Sequence, residues 1–526
     1  MVVPWESPVH GGRTHGGADE HRGDLNPHRW AGAPLATVWR HRTGAGLGAI
    51  VVVLAVPLVL AACSSTSSSA PAHPVQPGTT VGPLALGVNV AAWDSINTDI
   101  GTDTVDDLIR AAGLHVLRFP GGSWADEYHW FTGTDSSHCT GTVTVACSTS
   151  DPFAFTALSA QARAVGAASF ITVNYSSGTP SEAAGWVSHA RTTPGEAVAL
   201  WEVGNESYSC YEANLHLAEP PTSVKGYTPD GPVCPSTAVM AASYVAHAPA
   251  YLEAMKQADP SARIGVPWAF SGTEAQGAGV VDASLWNTTV LRATAKDIGF
   301  VDAHWYPFDT TAGLTDQKIL LSIRRIPAAA AQIRATLHND APGTRFVVGE
   351  TNISERLSTL DFQPVSALFA AATSLQWLAD GAETVDWWDL NNFGSPTTGD
   401  YGIVSSGSPE PEPAGTPFPP YYGEQLASQL TSGGARLEGL ATGSPAVLGY
   451  QSDGVGQRHV LLVNTSDTAA ATVRNRWFTP GTALTVETYA AATASGPSPI
   501  AHSTARAGTN QTLPAESVVV LAGPRS

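Results

Sequence analysis

The chain has 526 residues, which is long enough for one large domain and a smaller one once an N-terminal export segment is set aside. Its net charge of −19 at pH 7, with no basic cluster in the mature region, argues against nucleic acid or anionic membrane surfaces as partners. Charged residues make up only 13 % of the chain, while tryptophan is abundant at 15 residues. This composition is typical of a protein with a neutral, polyhydroxylated ligand, although large cores also use tryptophan.

The N-terminal segment predicts export. An apolar run at 45–62 follows the basic residues Arg40 and Arg42, which is the order of a secretion signal. The run ends at Ala62-Cys63, which resembles a bacterial lipoprotein lipobox, where the signal is cleaved before a cysteine that is then lipidated. An ordinary signal peptide or an N-terminal membrane anchor is the alternative. We expect a signal over 1–63 with Cys63 lipidated, a Ser/Pro-rich linker over 64–82, and a protein that is secreted or held at the outer face of the bacterial membrane through this anchor alone.

The other four cysteines also favour an oxidising compartment. They fall as two close pairs, Cys139 with Cys147 and Cys210 with Cys234, which are plausible loop disulfides in an exported protein. The rival interpretation is a metal site, but the chain has neither a CxxC nor an HExxH motif, so we predict no metal.

Short apolar or β-branched runs that end in Gly, Pro, Asn, Asp or Glu predict eight strands, at 84–94, 115–122, 169–179, 199–206, 262–270, 299–307, 345–352 and 384–394. Ala-rich, helix-compatible segments lie between most of them, at 103–113, 153–167, 238–258, 319–337 and 365–381. Alternation of strand and helix is the pattern of a (β/α)8 TIM barrel, and a helix at 421–432 would close it. We therefore predict an α/β catalytic barrel over 83–430.

The pattern changes after a Pro-rich stretch at 405–420. Short alternating runs separated by turn residues follow, with few helix candidates, at 435–442, 446–452, 459–466, 483–490 and 516–523. This pattern predicts an all-β sandwich domain over 431–526.

Two carboxylates stand at the predicted strand ends, where the catalytic residues of such barrels lie. Glu206 ends the fourth strand and Glu350 ends the seventh. Glycoside hydrolysis needs such a pair, one to protonate the departing oxygen and one to attack or stabilise the sugar carbon. The other polar or aromatic strand-end residues are Asn89, Arg118, Asn174, Asn205, His304, Tyr306, Asn352, Trp387 and Trp388.

The strand order assigns roles around the two carboxylates. Arg118 and Tyr306 are expected to hydrogen-bond Glu350 and keep it ionised, while Glu206 stays protonated. Asn205 is expected to hydrogen-bond a sugar hydroxyl beside the reacting carbon.

The remaining candidates are less specific. Alternation sends His304 and Tyr306 toward the same side, so His304 is either a sugar contact or a structural histidine. Trp387 and Trp388 cannot both face inward, and we expect Trp388 to form the stacking surface. The candidate substrate-binding residues are Asn205, Arg118, Asn174, His304, Tyr306 and Trp388.

Three motifs resemble glycoside hydrolase family 51, the α-L-arabinofuranosidases of the clan A barrels. They are "LRFPGGSWADEYHW", "ITVNYSSGTPSEAAGWVSHA" and "WEVGNE", which are similar to the second-, third- and fourth-strand motifs of that family. The resemblance implies Glu206 as the acid/base, Glu350 in "VVGETN" as the nucleophile, and a barrel followed by a β-sandwich. It also implies a retaining enzyme that removes arabinofuranosyl or related residues from cell-wall polysaccharide.

Two alternatives stay open. Insertions at 207–237 and 132–147 decorate the predicted mouth, so the enzyme could have another clan A specificity, such as a xyloside, a glucuronide or a β-glucan. A carbohydrate-binding lipoprotein that captures glycans without cleaving them is the second. None of this chemistry asks for a cofactor, and the chain has no Rossmann glycines and no P-loop.

Overall fold

The computed structural model describes residues 78–131, 134–135, 153–210, 212, 214–217, 235–272, 279–280, 282–392, 394–407, 410, 412–493 and 499–525. Cys63, Cys139, Cys147 and Cys234 lie outside these residues, so the predicted signal, the lipidation and both disulfides stay predictions. Within the described part of the chain, no helix has both the length and the apolar character needed to cross a membrane.

Eight parallel strands close into a barrel, which confirms the predicted fold class. They are β1 (Leu86–Asn89), β2 (Val116–Phe119), β3 (Ala168–Val173), β4 (Val198–Val203), β5 (Ile264–Trp268), β6 (Phe300–Trp305), β7 (Arg345–Thr351) and β8 (Val385–Trp387). Each overlaps a segment predicted from the sequence. The hydrogen-bonded order is β6-β7-β8-β1-β2-β3-β4-β5, and β5 pairs with β6 to close the ring. The C-terminal ends of all eight strands therefore meet at one mouth.

Two layers of side chains fill the barrel below this mouth. The lower layer is apolar and consists of Val116, Phe170, Leu200, Phe300 and Val347. The upper layer is polar or charged, and it includes Arg118, Thr172, Glu202 and Asp302, which are also buried. These residues lie two positions further along the same strands, and the period of two in a strand points both sets inward. A charged layer thus lies between the apolar floor and the mouth.

Helices connect the barrel strands: α1 (Thr102–Ala112), α2 (Phe155–Val165), α3 (Pro180–Thr192), α4 (Thr237–Ala258), α5 (Ala283–Thr294), α6 (Asp316–Ser322), α7 (Ile326–Asp340), α8 (Pro364–Ala379) and α9 (Pro419–Ser428). The sequence did not predict α3 and α5. The single helix predicted at 319–337 is wrong, because α6 and α7 are separate helices joined by a 3₁₀ turn at Ile323–Arg325. Pro327 lies in the first turn of α7, where a proline starts a helix because its missing N–H is not needed there.

The C-terminal region is all β, as predicted. Its strands are β9 (Arg436–Gly439), β10 (Val447–Asp453), β11 (Gln457–Asn464), β12 (Ala471–Arg474), β13 (Ala483–Ala490), β14 (Ile500–Arg506), β15 (Asn510–Leu513) and β16 (Ser517–Pro524). One antiparallel sheet contains β9-β10-β11-β16-β13-β14, and Thr79–Thr80 pairs with its outer strand β9. The end of the segment predicted as a linker therefore contributes a strand to this sheet. The strands β12 and β15 pair separately and cover one face of the sheet through a shared apolar cluster.

Helix α8 joins the barrel to the β domain. Its residues from Val365 to Ala379 are all buried, because the barrel lies on one side and the β sheet on another. The Tyr450 hydroxyl of β10 donates a hydrogen bond to the Ala372 carbonyl of α8, at 3.1 Å.

Candidate active site

Glu350 reaches the mouth because β7 contains an extra residue. The register with β6 runs from Asp302 opposite Val347 to His304 opposite Glu350, so three steps on β7 match two on β6. The register with β8 shifts in the same way between Val348 and Thr351. Such a bulge re-aims the side chains that follow it. Since Val347 points inward, simple alternation would turn Glu350 outward, and the bulge corrects this.

Both oxygens of the Glu350 carboxylate receive a hydrogen bond. Arg118 Nη1 donates to Oε1 and the Tyr306 hydroxyl donates to Oε2, each at 2.7 Å. The carboxylate is buried, with 5 % of the residue exposed. Two such hydrogen bonds from different strands fix the orientation of a carboxylate. These are the two partners that the sequence predicted for Glu350.

Glu206 follows β4 in an unusual backbone conformation. Gly204 has φ of 79° and Glu206 itself has φ of 36°, a positive value that non-glycine residues adopt rarely and at a cost of about 1–3 kcal/mol. The turn leaves the Glu206 carboxylate 12 % exposed and brings Oε1 to 2.8 Å from His304 Nδ1. One carboxylate oxygen of Glu206 and one of Glu350 lie within 4.8 Å of each other. The structure thus brings together the two carboxylates that the sequence singled out.

Arg118 is the centre of a hydrogen-bond network. Besides Glu350, its Nη1 donates to Asn89 Oδ1 at 2.9 Å, and its Nη2 donates to Glu202 Oε2 and Asn205 Oδ1, each at 3.0 Å. Burial lowers the pKa of Arg118, but the charges of neighbouring carboxylates outweigh this and raise it. Only 1 % of Arg118 is exposed and both Nη atoms bond to the surrounding side chains, so Arg118 orients these residues and does not make the sugar contact that we predicted.

Glu202 and Asp302 form the charged layer with Arg118, and the sequence analysis missed both. Asp302 Oδ1 accepts the Gly349 N–H at 2.6 Å, and Glu202 Oε2 accepts the Thr172 hydroxyl at 3.0 Å. Burial and the nearby Asp302 raise the pKa of Glu202 to about 8, although Arg118 opposes this. Burial alone would raise the pKa of Asp302, but His304 and Arg118 outweigh this effect and lower that pKa.

His304 bridges this layer and the two glutamates. Its Nδ1 lies 2.8 Å from Glu206 Oε1 and 3.5 Å from Glu350 Oε2, while its Nε2 lies 3.6 Å from Asp302 Oδ2. Burial lowers the pKa of His304, but the surrounding carboxylates, led by Glu350, raise it well above its ordinary value. Only 2 % of the residue is exposed, so His304 contacts the carboxylates rather than a sugar. Tyr306, predicted to bind substrate, is likewise buried and directed at Glu350.

Asn174, which we predicted to bind substrate, does not point into the site. Its Oδ1 accepts the backbone N–H groups of Ser177 and Gly178, each at 2.9 Å, and its Nδ2 donates to the Ser177 hydroxyl at 2.8 Å. The amide is therefore occupied by its own loop, a common use of asparagine in turns. Asn89 and Asn352 are also structural, because their side-chain N–H groups donate to backbone carbonyls of the β7 and β8 ends.

Trp387 and Trp388 differ in burial, and the stacking surface expected of Trp388 stays a prediction. Trp387 is buried, and its ring N–H donates to the Tyr401 carbonyl at 3.1 Å. Trp388 is half-buried, and its backbone N–H donates to the Thr351 carbonyl at 3.0 Å, beside Glu350. Tyr208, which the sequence analysis missed, is buried next to Glu206. Burial, together with the charge of Glu206, raises the pKa of Tyr208 well above its ordinary value.

Among the described residues, two side-chain sets offer the geometry of a metal site. Three potential ligand atoms lie within 4.8 Å of one another in Glu202, Asp302 and His304, and also in Glu206, His304 and Glu350. Arg118 lies against both sets, at 3.0 Å from Glu202 and 2.7 Å from Glu350. A fixed positive charge in contact with the carboxylates disfavours a second cation in either place.

Solved glycoside hydrolases share this architecture. The α-L-arabinofuranosidase of Thermotoga maritima, solved as an arabinose complex, has a TM-score of 0.61 at 16 % identity over 86 % of this chain and 98 % of its own. CelM2, a bifunctional glucanase-xylanase from a metagenome library, has a TM-score of 0.59 at 15 % identity over 85 % and 97 %. A family 44 xyloglucanase of Paenibacillus polymyxa, solved with xyloglucan, has a TM-score of 0.56 at 11 % identity over 85 % and 98 %.

Sequence comparison gives no further assignment, since neither protein-family models nor curated protein sequences match the chain. The structural likeness shows the fold alone, a (β/α)8 barrel followed by a β domain, which the chain shares with these solved structures.

Proposed function

We propose that this protein is a retaining glycoside hydrolase in which Glu350 is the nucleophile and Glu206 the acid/base. The supporting observation is their separation, with one oxygen of each carboxylate within 4.8 Å of the other. Retaining enzymes keep the two carboxyl groups about 5–5.5 Å apart, whereas inverting enzymes need about 6.5–9.5 Å to admit a water molecule. The observed closeness fits direct attack by a carboxylate.

The reaction proceeds in two displacements. Glu350 attacks the anomeric carbon while Glu206 gives its proton to the glycosidic oxygen, so the leaving sugar departs as an alcohol and an ester to Glu350 forms. Glu206, now ionised, removes a proton from a water molecule that attacks the same carbon. The ester bond breaks, the sugar is released with its original anomeric configuration, and Glu350 becomes a free carboxylate again.

The surrounding residues position these two groups. Arg118 and Tyr306 each hold one oxygen of Glu350, which directs the carboxylate and spreads its charge. His304 lies between the glutamates and keeps Glu206 on the substrate side of the mouth. Asn205 is also buried, but only its Oδ1 is engaged, by Arg118, and we propose that its amide N–H₂ donates to a sugar hydroxyl.

We propose α-L-arabinofuranosyl or related residues of cell-wall polysaccharide as the substrate. The "WEVGNE" and "VVGETN" motifs support this, together with the architecture shared with an α-L-arabinofuranosidase. Because the fold is also shared with a glucanase-xylanase and a xyloglucanase, other clan A specificities are the alternatives.

A panel of nitrophenyl glycosides tests the proposal: α-L-arabinofuranoside, β-D-xyloside, β-D-glucoside, β-D-glucuronide and β-D-galactofuranoside. We expect turnover of one glycoside, its loss in Glu350→Ala, and partial rescue of that variant by azide, which replaces the missing anionic nucleophile. The matched control is Glu253→Ala, which removes an exposed glutamate on α4 and should leave turnover unchanged. Retention is checked by nuclear magnetic resonance of the first-formed product.

Two results would contradict this assignment. Full turnover by Glu350→Ala would remove Glu350 from the mechanism. Silence across the panel, with polysaccharide binding retained by both the parent protein and Glu350→Ala, would favour the glycan-capturing alternative.

We further propose that the protein is exported and anchored as a lipoprotein through Cys63. The supporting features are the basic and then apolar order before Cys63 and the two cysteine pairs, 139 with 147 and 210 with 234. Labelling with a fatty acid in the native host should mark the parent protein and not Cys63→Ser. Equal labelling of both would exclude the anchor.

A further inference from the structure

Three tryptophans form a half-buried aromatic cluster on one side of the mouth. Trp93 follows β1, Trp124 lies in a 3₁₀ turn at Gly122–Asp126 after β2, and Trp388 follows β8. The Trp93 ring centre lies 5.4 Å from that of Trp124 at 66°, and 6.4 Å from that of Trp388 at 58°. We call these three residues the tryptophan cluster. Their rings meet at an angle, so they form a corner rather than a flat stack.

The backbone is shaped to let these rings approach one another. Gly121 and Gly122 have φ of 108° and 43°. A Cβ at Gly122 would lie 2.6 Å from the Trp388 ring, and one at Gly121 would lie 3.1 Å from the Trp93 ring. Any other residue at Gly122 would therefore push Trp388 away. The glycine pair thus has a direct structural use in this cluster.

A buried carboxylate, that of Glu212, lies beside the tryptophan cluster. The exposed Ser123, between Gly122 and Trp124, donates from its hydroxyl to Glu212 Oε1 at 2.9 Å. Glu212 is 5 % exposed, and its Oε2 accepts no hydrogen bond from the described residues. Burial raises the pKa of Glu212 well above its ordinary value, and the charges of Asp126 and Glu206 add to this. A polar atom without a partner in such a place is costly unless a ligand satisfies it.

The tryptophan cluster adjoins the catalytic pair. The Trp388 backbone N–H bonds to Thr351, the residue after Glu350. The negative charges of Glu206 and Glu350 both raise the pKa of Glu212. The tryptophan cluster therefore lies on the β8-β1-β2 side of the mouth, beside the carboxylate pair.

We propose that the tryptophan cluster, with Ser123 and Glu212, forms a second sugar subsite that binds the glycan unit next to the one being cleaved. Aromatic faces match the apolar C–H face of a sugar ring, and the carboxyl and hydroxyl groups at its edge match the ring hydroxyls. The enzyme then acts on a chain of sugars, and the chain adds binding energy that an isolated glycoside lacks. This inference rests on the proposed glycosidase function.

The test compares a nitrophenyl glycoside with oligosaccharides of increasing length from arabinan and arabinoxylan. In the parent protein kcat/KM should rise with chain length. Trp124→Ala should lower the ratio of the oligosaccharide kcat/KM to the aryl glycoside kcat/KM about tenfold, which corresponds to roughly 1.4 kcal/mol. Trp124→Phe should recover part of this ratio. Glu212→Gln should also change the ratio, although it leaves all three tryptophan rings in place. The control is Tyr422→Ala, which removes a half-buried ring packed on Tyr489 in the β domain and should leave the ratio unchanged.

The outcomes separate this inference from the proposed function. Turnover without length dependence, or an unchanged ratio in folded Trp124→Ala and Glu212→Gln, would overturn the subsite and leave the glycosidase intact. If no glycoside is cleaved, calorimetric titration with soluble arabinoxylan applies instead. Binding weakened by Trp124→Ala would then support the subsite although the catalytic proposal fails, and binding insensitive to it would overturn the subsite as well.

Discussion

The hydroxyl of Tyr306 offers the cleanest single-atom test of the proposed nucleophile. Tyr306→Phe removes one hydroxyl and keeps the ring, so it deletes the 2.7 Å hydrogen bond to Glu350 Oε2 without opening a large cavity. Glu350 is 5 % exposed, so solvent has little access to replace the lost donor. Arg118 still holds the other oxygen. The variant therefore measures one hydrogen bond to a buried charged group.

Such a bond contributes about 1.5–3 kcal/mol. If its effect falls on the transition state, kcat/KM for the cleaved nitrophenyl glycoside should drop by roughly 10- to 150-fold. Tyr421→Phe is the matched control, since that hydroxyl donates to the Leu108 carbonyl at 3.0 Å, between α9 and α1. It should cost some stability and no activity. An unchanged kcat/KM in folded Tyr306→Phe would refute the reasoning that this hydroxyl orients the nucleophile.

Two further perturbations test the layer beneath the glutamates and the buried acids. In Gly349→Ala the new Cβ would lie 2.1 Å from Asp302 Oδ2. We therefore expect the free energy of unfolding, measured by chemical denaturation, to fall by about 1–3 kcal/mol, and turnover to fall as well. The control is Gly82→Ala, where the new Cβ enters open space and should change neither quantity. Burial raises the pKa of Glu424, on α9, to about 8, and a raised acid pKa contributes stability that is present below the unfolded-state value and is lost as pH rises through the folded one. The melting temperature should therefore fall as the pH rises from about 4.5 to about 8, and Glu424→Gln should make this fall less steep. An equal slope in the parent protein and in Glu424→Gln would contradict the raised pKa of Glu424.

The parts of the fold that the sequence predicted are those governed by local patterns. Eight apolar runs ending in turn residues became eight barrel strands because burial on both faces requires such runs. The sequence could single out the two glutamates that we propose as catalytic because catalytic residues in this architecture follow the strand ends. The separate helices α6 and α7 were predictable in principle from Pro327, which lies within the apolar pattern that we interpreted as one helix.

The rest of the site depends on contacts between residues distant in sequence. Asn174 sits at a strand end like Asn205, but its chain turns and its amide bonds to its own loop. The bulge in β7 is visible only in the pairing with β6 and β8, since alternation alone would have turned Glu350 away. Glu202 and Asp302 alternate correctly with inward-facing apolar residues. An isolated buried acid is nevertheless unfavourable, and their partner Arg118 lies on another strand.

The charges in the barrel support the division of roles between the two glutamates. Arg118 carries one positive charge, and the carboxylates around His304, led by Glu350, outweigh burial and raise the pKa of His304. His304 and Arg118 outweigh burial and lower the pKa of Asp302, while Glu350 accepts hydrogen bonds from Arg118 and Tyr306. Negative charges on Glu206 and Glu350 at the same time would lie within 4.8 Å of each other, which is unfavourable. The Glu206 side chain is the more exposed of the pair, at 12 % against 6 % for Glu350, which suits the residue that we propose to face the leaving group and the attacking water. Because formation of the glycosyl ester neutralises Glu350, the same network then admits the negative charge on Glu206 that activation of water requires.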